Sequence, residues 1–282
     1  MKLRSVELQL ADVAGVAEFF ERVWGLAAAE SSGGTRYLRG TAGHPYIVSL
    51  TAADTPALTG ITFSATPEEL ERTRARVRRS GAPCHEIEDS GFSVKGPEGQ
   101  IYRFVKEAEV AALQPHADKP IELSHVVLNA LDVEACERFA LEALGFTVSD
   151  RTAHMRFLRC NRKHHALAYA SGGLSSLNHV AFDMRDLEAV MRGIGRLRDA
   201  GYPCTWGPGR HGPGNNVFGY FIGLHGGIIE YTSEVSQVGD DYKVGSPQDW
   251  KWPPGRTDHW GVSSRDSARM AAAERAFRWA GA

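Results

Sequence analysis

The 282-residue chain carries 32 basic and 34 acidic residues, a net charge of −2, and is 43% hydrophobic. No Lys/Arg run alternates with aromatic residues, no apolar stretch approaches the roughly 20 residues that cross a bilayer, and MKLRSVELQLAD enters a strand without a signal-peptide core; these features exclude nucleic acid and membrane as partners and lead us to expect a cytoplasmic protein. The length suggests about two domains, and Cys84, Cys136, Cys160 and Cys204, lacking CxxC spacing, read as reduced thiols filling core space.

In chain order, LRSVELQLADV (3–13) reads as a strand, and Asp12 starts a helix over DVAGVAEFFERVWG. A second strand, LTGITFSA, leads to Thr66 and Pro67, which open the helix PEELERTRARVRR with Pro at its first position and two glutamates near its positive end. Roughly 107–119 is polar and contains Pro, the composition of a linker. ELSHVVLNA then alternates as a strand, and Asp132 caps VEACERFALEAL, where Val133, Phe139 and Leu144 recur at helical intervals before Gly145 ends the pattern. NHVAFDM leads to a helix with Leu187, Val190, Met191, Ile194 and Leu197 on one face, closed by Gly201. Beyond Glu234 the chain is punctuated by Gly and Pro and rich in Trp, and only SARMAAAERAFRWAGA returns to helix. We read this as a tail packed over the second half with Trp250, Trp252 and Trp260 as anchors. The expected organisation is α+β: domain 1–110, domain 120–235 and tail 236–282, each domain holding two units of a strand, a helix and several short strands.

The two halves look alike, yet their chemistry differs. Anchoring Asp12 on Asp132 sets Ser5 on His125; Leu58 on Leu177 sets Gly60 on His179; and GPEGQIYRF on GLHGGIIEY sets Arg103 on Glu230. Strand side chains alternate between faces, so His125 shares a side with Leu123, Val127 and Asn129, His179 with Leu177 and Ala181, and Glu230 with Ile228 and Thr232. If the three sides line one cup, two imidazoles and a carboxylate converge and leave about three positions of an octahedron open, the facial set of non-haem Fe(II) oxygenases. Iron or manganese is favoured over structural zinc, which takes a closed set of four ligands, usually with cysteine.

The second half resembles the extradiol catechol dioxygenases of the vicinal oxygen chelate (glyoxalase/bleomycin resistance/dioxygenase) superfamily, in GRHGPGNNVFGYF followed by GGIIEYTSE and in CNRKHHALAY. The resemblance implies four βαβββ modules forming two cup-shaped, half-barrel mixed sheets, with His125, His179 and Glu230 holding Fe(II), or alternatively Mn(II). It implies cleavage of a catecholic ring next to the diol with O2, in aromatic degradation. His165 would be the acid/base, and His211 and Tyr220 would hold the substrate oxygen. His164 is then a surface neighbour, Phe157 and Asn215 are assigned to the substrate pocket, and Arg162, Arg210 and Arg256 are candidates for a substrate carboxylate. His225 is expected to be exposed, His44, His85, His116 and His154 to be without partners, and His259 to belong to a lid or to tail packing. A homo-oligomer is expected. Two rivals are a metal-dependent glyoxalase-like isomerase or lyase, which typically needs a second carboxylate, and a drug-sequestering protein like the bleomycin-binding relatives, which needs no metal triad.

Overall fold

A computed structural model describes residues 1–87, 90–114 and 118–280. The first module runs β1 (Lys2–Leu10), α1 (Val13–Phe19), β2 (Ala27–Ala28), β3 (Arg36–Arg39) and β4 (Val48–Ala52), and the second β5 (Ala57–Ala65), α2 (Pro67–Ser80), β6 (Cys84–Ile87), β7 (Gly91–Lys95) and β8 (Ile101–Lys106). The third runs β9 (Glu122–Ala130), α3 (Val133–Phe139), β10 (Thr147–Arg151), β11 (Met155–Arg159) and β12 (Leu167–Ser171). The fourth runs β13 (Ser176–Asp183), α4 (Leu187–Asp199), β14 (Trp206–Arg210), β15 (Val217–Ile222) and β16 (Ile228–Ser233). The α+β class and the strand, helix, three-strand unit are thus present four times.

Side-chain chemistry sets the helix ends. Asp12, Asp132 and Asp186 each accept a hydrogen bond from the backbone N–H three residues on, and Thr66 and Glu69 form a reciprocal capping box; such a cap contributes about 1 kcal/mol. α1 and α3 each continue into one wider π-helical turn, Phe20–Trp24 and Ala140–Leu144, closed by left-handed Gly25 and Gly145. In α4 the buried face is centred on Ala189, Val190, Gly193 and Leu197, so Met191, expected there, is exposed.

The sheets run β2-β3-β4-β1-β5-β8-β7-β6 and β10-β11-β12-β9-β13-β16-β15-β14. In every module the first strand is parallel to the last, which requires a crossover, and the helix lies within it. Modules join through the antiparallel pairs β1/β5 and β9/β13. One core spans both halves. Trp24 of the first half stacks on Tyr231 of the second at 3.8 Å and meets Phe182 edge-on at 5.2 Å, and Tyr231 donates its hydroxyl to the Trp24 carbonyl. Phe63 meets Phe146 edge-on, and Tyr102 and Tyr169 share a 2.7 Å hydroxyl contact. In β9, Val126 and Leu128 enter this shared core, which leaves His125, Val127 and Asn129 for the opposite face.

The described part of the expected linker lies along the first half: the Val110 and Leu113 amides donate to the carbonyls of Gly43 and Thr41. His116 falls outside the described residues. The tail departs from expectation at its end. Its helix is only α5 (Ser267–Ala273), and β17 (Arg278–Trp279) then pairs in parallel with the first residues of β5. Alternation explains the change: Phe277 and Trp279, both buried, face the core two residues apart, a spacing that extended backbone satisfies and helix does not. The tail therefore touches both sheets.

Candidate active site

The register of the second sheet builds the site. His125 on β9 lies opposite Ala181 on β13, Ala181 opposite Glu230 on β16, and Glu230 opposite Tyr220 on β15. His179 stands one pleat from Ala181 on the same strand, so the small alanine leaves space amid His125, His179 and Glu230. All three are buried, and their ligand atoms lie within 4.8 Å of one another. Each imidazole Nε2 is 3.2 Å from Glu230 Oε2. Cis ligands about 2.1 Å from one cation stand roughly 3 Å apart, so the spacing suits a single ion.

Hydrogen-bond accounting makes the same point. Asn178 Nδ2 donates to Asn129 Oδ1, which fixes the amide so that Asn178 Oδ1 faces His179 Nδ1 at 2.7 Å. His179 therefore carries its proton on Nδ1, and its Nε2 lone pair, which makes no hydrogen bond, points at a carboxylate oxygen. Two lone pairs at that distance need a cation between them. The residues thus fit a divalent metal, with Asn178 orienting one ligand from behind and Ser124 Oγ lying 3.2 Å from Nδ1 of the other. Burial alone would push Glu230 up, but the imidazoles beside it outweigh that and hold its carboxyl well below the usual carboxylate range.

His165 stands beside His125, ring centroids 4.3 Å apart, and Tyr220 beside His179 at 5.0 Å. His211 Nε2 is 3.0 Å from the Tyr220 hydroxyl. Burial keeps all three uncharged: it pushes His165 well below the ordinary imidazole range, reinforced by the neighbouring imidazoles, takes His211 down to about 4 and raises Tyr220 well above the phenol range. Apolar groups wall both flanks. Val127, Phe157 and Ala168 form one cluster, with the Phe157 ring 5.2 Å from His165. Trp206, Phe218, Tyr220 and Ile228 form another, backed by Met270 and Ala273 of α5.

Several expected positions are corrected. Asn215 is not in the cup; it is the exposed left-handed corner of the turn, φ 52°, because the chain must reverse there to place the next residue. That residue, Asn216, is fully buried, and its amide donates to Thr232 Oγ1 at 2.7 Å and Glu230 Oε1 at 3.4 Å. His164 is no surface neighbour: residues 164 and 165 precede β12 in irregular backbone, where strand alternation does not apply, and both rings are buried. His225 is half-buried between Phe20 and Phe277, and burial takes its imidazole down to about 4. His44 has a partner, Glu122, at 3.2 Å. Among the arginines, Arg210 pairs with Glu234, Arg256 donates to tail carbonyls, and Arg162 lines a separate cavity of about 460 Å³ between the halves. Arg265, not singled out by sequence, lies 5.5 Å over the Trp206 ring. Trp250 and Trp252 pack on Gly212, Trp260 lies under Arg210, and His259 packs on Trp252 while donating its amide to the Arg210 carbonyl.

The first sheet repeats the register without the ligands. Ser5 lies opposite Thr62, and Thr62 opposite Arg103. Arg103 donates to Glu7 at 3.0 Å, and Ser5 and Thr62 donate to the same carboxylate at 2.7 and 2.8 Å. A Cβ on Gly60 would stand 1.5 Å from Arg103 Nη1, so glycine there makes room for the guanidinium. An internal ion pair occupies this cup.

Known proteins share this layout. The Glyoxalase/Bleomycin resistance protein/Dioxygenase superfamily matches residues 122–221, a span holding His125, His165, His179, His211 and Tyr220. The Mn(II)-bound glyoxalase from Novosphingobium aromaticivorans is 31% identical, with a TM-score of 0.85 over 95% of this chain and 93% of that one. A variant of homoprotocatechuate 2,3-dioxygenase from Brevibacterium fuscum is 23% identical and superposes with a TM-score of 0.81 over 93% of this chain and 78% of that one. Metapyrocatechase 2 from Cupriavidus necator is 31% identical over 142 residues, 48% of this chain but 41% of the relative, so the match spans about two fifths of that protein's length. With the repeated module, the matched segment and near-full-length likeness to the glyoxalase in agreement, the chain belongs to the Glyoxalase/Bleomycin resistance protein/Dioxygenase superfamily.

Proposed function

We propose that the protein is an extradiol dioxygenase that opens a catecholic ring beside its diol with O2, using Fe(II), or Mn(II) in its place, held by His125, His179 and Glu230. On this reading residues 120–235 carry the chemistry, 1–110 form the metal-free half, and 236–282 cover the site. One observation carries it: a one-carboxylate, two-imidazole group shares its cup with His165, His211 and Tyr220. The bound metal would supply a Lewis-acidic centre with open positions for a chelating diol and dioxygen.

The protein's own groups account for the rest. His165, kept uncharged by burial and by the imidazoles around it, takes the diol proton at Nε2 and returns it as the ring opens. On the other flank His211 donates through Nε2–H to the Tyr220 oxygen at 3.0 Å, and the Tyr220 hydroxyl in turn donates to the substrate oxygen and stabilises its charge. Phe157 and Val127 on one side and Trp206 and Phe218 on the other hold the ring and keep water out.

Likeness to the Mn(II)-bound glyoxalase favours a second reading, isomerase chemistry on a thiol adduct. Against it, the metal group among the described residues has one carboxylate, and that chemistry has no need of the three protonic side chains beside it. The discriminating experiment is anaerobic purification with quantification of bound iron and manganese, followed by a catechol panel under air and a thiol-adduct assay without O2. The dioxygenase reading expects near-stoichiometric metal, oxygen uptake and a yellow ring-opened product. Isomerase turnover without oxygen uptake would replace it, and full binding of a catechol by metal-free protein would point to sequestration.

A further inference from the structure

Behind His165 runs a chain of buried polar groups that the roles above leave unused. His165 Nδ1 is 3.0 Å from His164 Nδ1, and His164 Nε2 is 2.8 Å from Asp150 Oδ2. The side chains of His164 and Asp150 are both 0% exposed. From the far side, the tail holds the carboxylate: the Gly245 amide donates to Oδ1 at 2.7 Å, and the Tyr242 hydroxyl donates to Oδ2 at 3.2 Å.

With His164 neutral, donor and acceptor matching leaves one arrangement. A carboxylate only accepts, so His164 carries its proton on Nε2 and offers a lone pair at Nδ1. His165 must then donate through its own Nδ1–H, which leaves Nε2 as the unprotonated nitrogen. Resting on the dioxygenase reading, we infer that Asp150 and His164 are positioning residues that fix the Nδ1–H tautomer of His165 and so present its Nε2 lone pair to the diol. In the step this serves, a diol O–H bond breaks as an Nε2–H bond forms, and His165 becomes an imidazolium whose Nδ1–H is still donated to His164. The Nε2 proton later passes to an oxygen of the opening product. His164 keeps its Nε2 proton and Asp150 stays an unprotonated carboxylate throughout, and the tail, through Tyr242 and Gly245, becomes part of the machinery that sets the base.

The test is Asp150→Asn. The Gly245 amide requires an oxygen on its side, so the new amino group faces His164 Nε2. His164 must then accept there and carry its proton on Nδ1, and His165 is forced to the Nε2–H tautomer. In the full chain labelled with 15N-histidine and loaded with diamagnetic Zn(II), wild type should show His165 protonated on Nδ1, and Asp150→Asn should show it protonated on Nε2. In the iron-loaded enzyme kcat should fall roughly 10²–10⁴-fold, the range of a lost or misprotonated general base, with iron content and catechol KM retained. His164→Asn alone, whose amide oxygen falls near the lost Nδ1, should keep His165 protonated on Nδ1 and retain at least part of kcat; should Asp150→Asn fail to fold, an Nε2–H tautomer in this variant overturns the inference by the same spectra. An Nε2–H tautomer in wild type, or an unchanged His165 pattern in folded Asp150→Asn, overturns the inference. Tautomers as stated in a protein that cleaves no catechol would uphold the positioning chain and sink the dioxygenase reading instead.

Discussion

His179 Nε2 and Glu230 Oε2 face each other with lone pairs on both atoms, and that makes the site's ligands separable from its acid/base group. His179→Ala should lose metal and turnover together, because two protein ligands do not hold a divalent ion against water. His165→Phe should keep the iron and bind catechol while turning over about 100-fold more slowly or worse, since it removes a proton carrier and no ligand. Metal analysis alongside steady-state kinetics checks both, and iron loss in His165→Phe would place that ring among the ligands. The triad was legible because each of its residues is replaced in a second copy of the same strand: Ser5, Gly60 and Arg103 mark the positions that chemistry changed. His164 and Asn216 were not. Their burial depends on Asp150, Tyr242 and Thr232, partners brought together only by β10, the tail and β16.

At the scale of elements, what recurs was legible and what a single tertiary contact decides was not. Four strand–helix units follow from hydrophobic period and from caps such as Asp12, Asp132 and Thr66. The π-helical turn that sets Trp24 against Tyr231 carries no local signal, and neither does the two-residue strand β17. α5 offers the sharpest test of an element acting at a distance. Met270, buried, packs behind Trp206, Phe218 and Tyr220, the wall of the cup beside His179. Met270→Ala should cost about 2–4 kcal/mol through the cavity it leaves, which for a chain of this size lowers the melting temperature by roughly 3–7 °C. Because Tyr220 then loses its backing, kcat should fall further than metal content does. A melting temperature unchanged by the substitution would mean that α5 does not pack on the wall in solution.

For the whole molecule, the junction between halves carries an acid-sensitive lock. Glu122 of the second half receives His44 from the first at 3.2 Å and also the Lys163 ammonium, which reaches Asp183 at 2.9 Å. Burial pushes the Glu122 carboxyl up, but the hydrogen bond from His44 and the charge of Lys163 more than offset that and take it from 4.5 down to about 2. A carboxylate depressed in the folded state stabilises above its unfolded value, and the contribution drains away as pH falls from about 4.5 toward about 2. At 1.36 kcal/mol per unit, discounted for a side chain one quarter exposed, the loss is about 2 kcal/mol. Asp183 acts in the opposite sense. Burial raises its carboxyl despite Lys163, so the folded chain takes up that proton before the unfolded chain does, which offsets the loss near the top of the window. Urea unfolding at steps between pH 7 and pH 2.5 should therefore show a shallow decline that steepens below pH 4.5, and Glu122→Gln should be less stable at neutrality yet flatter in acid. Curves for wild type and variant that run parallel across the whole range would show that the acid sensitivity arises elsewhere.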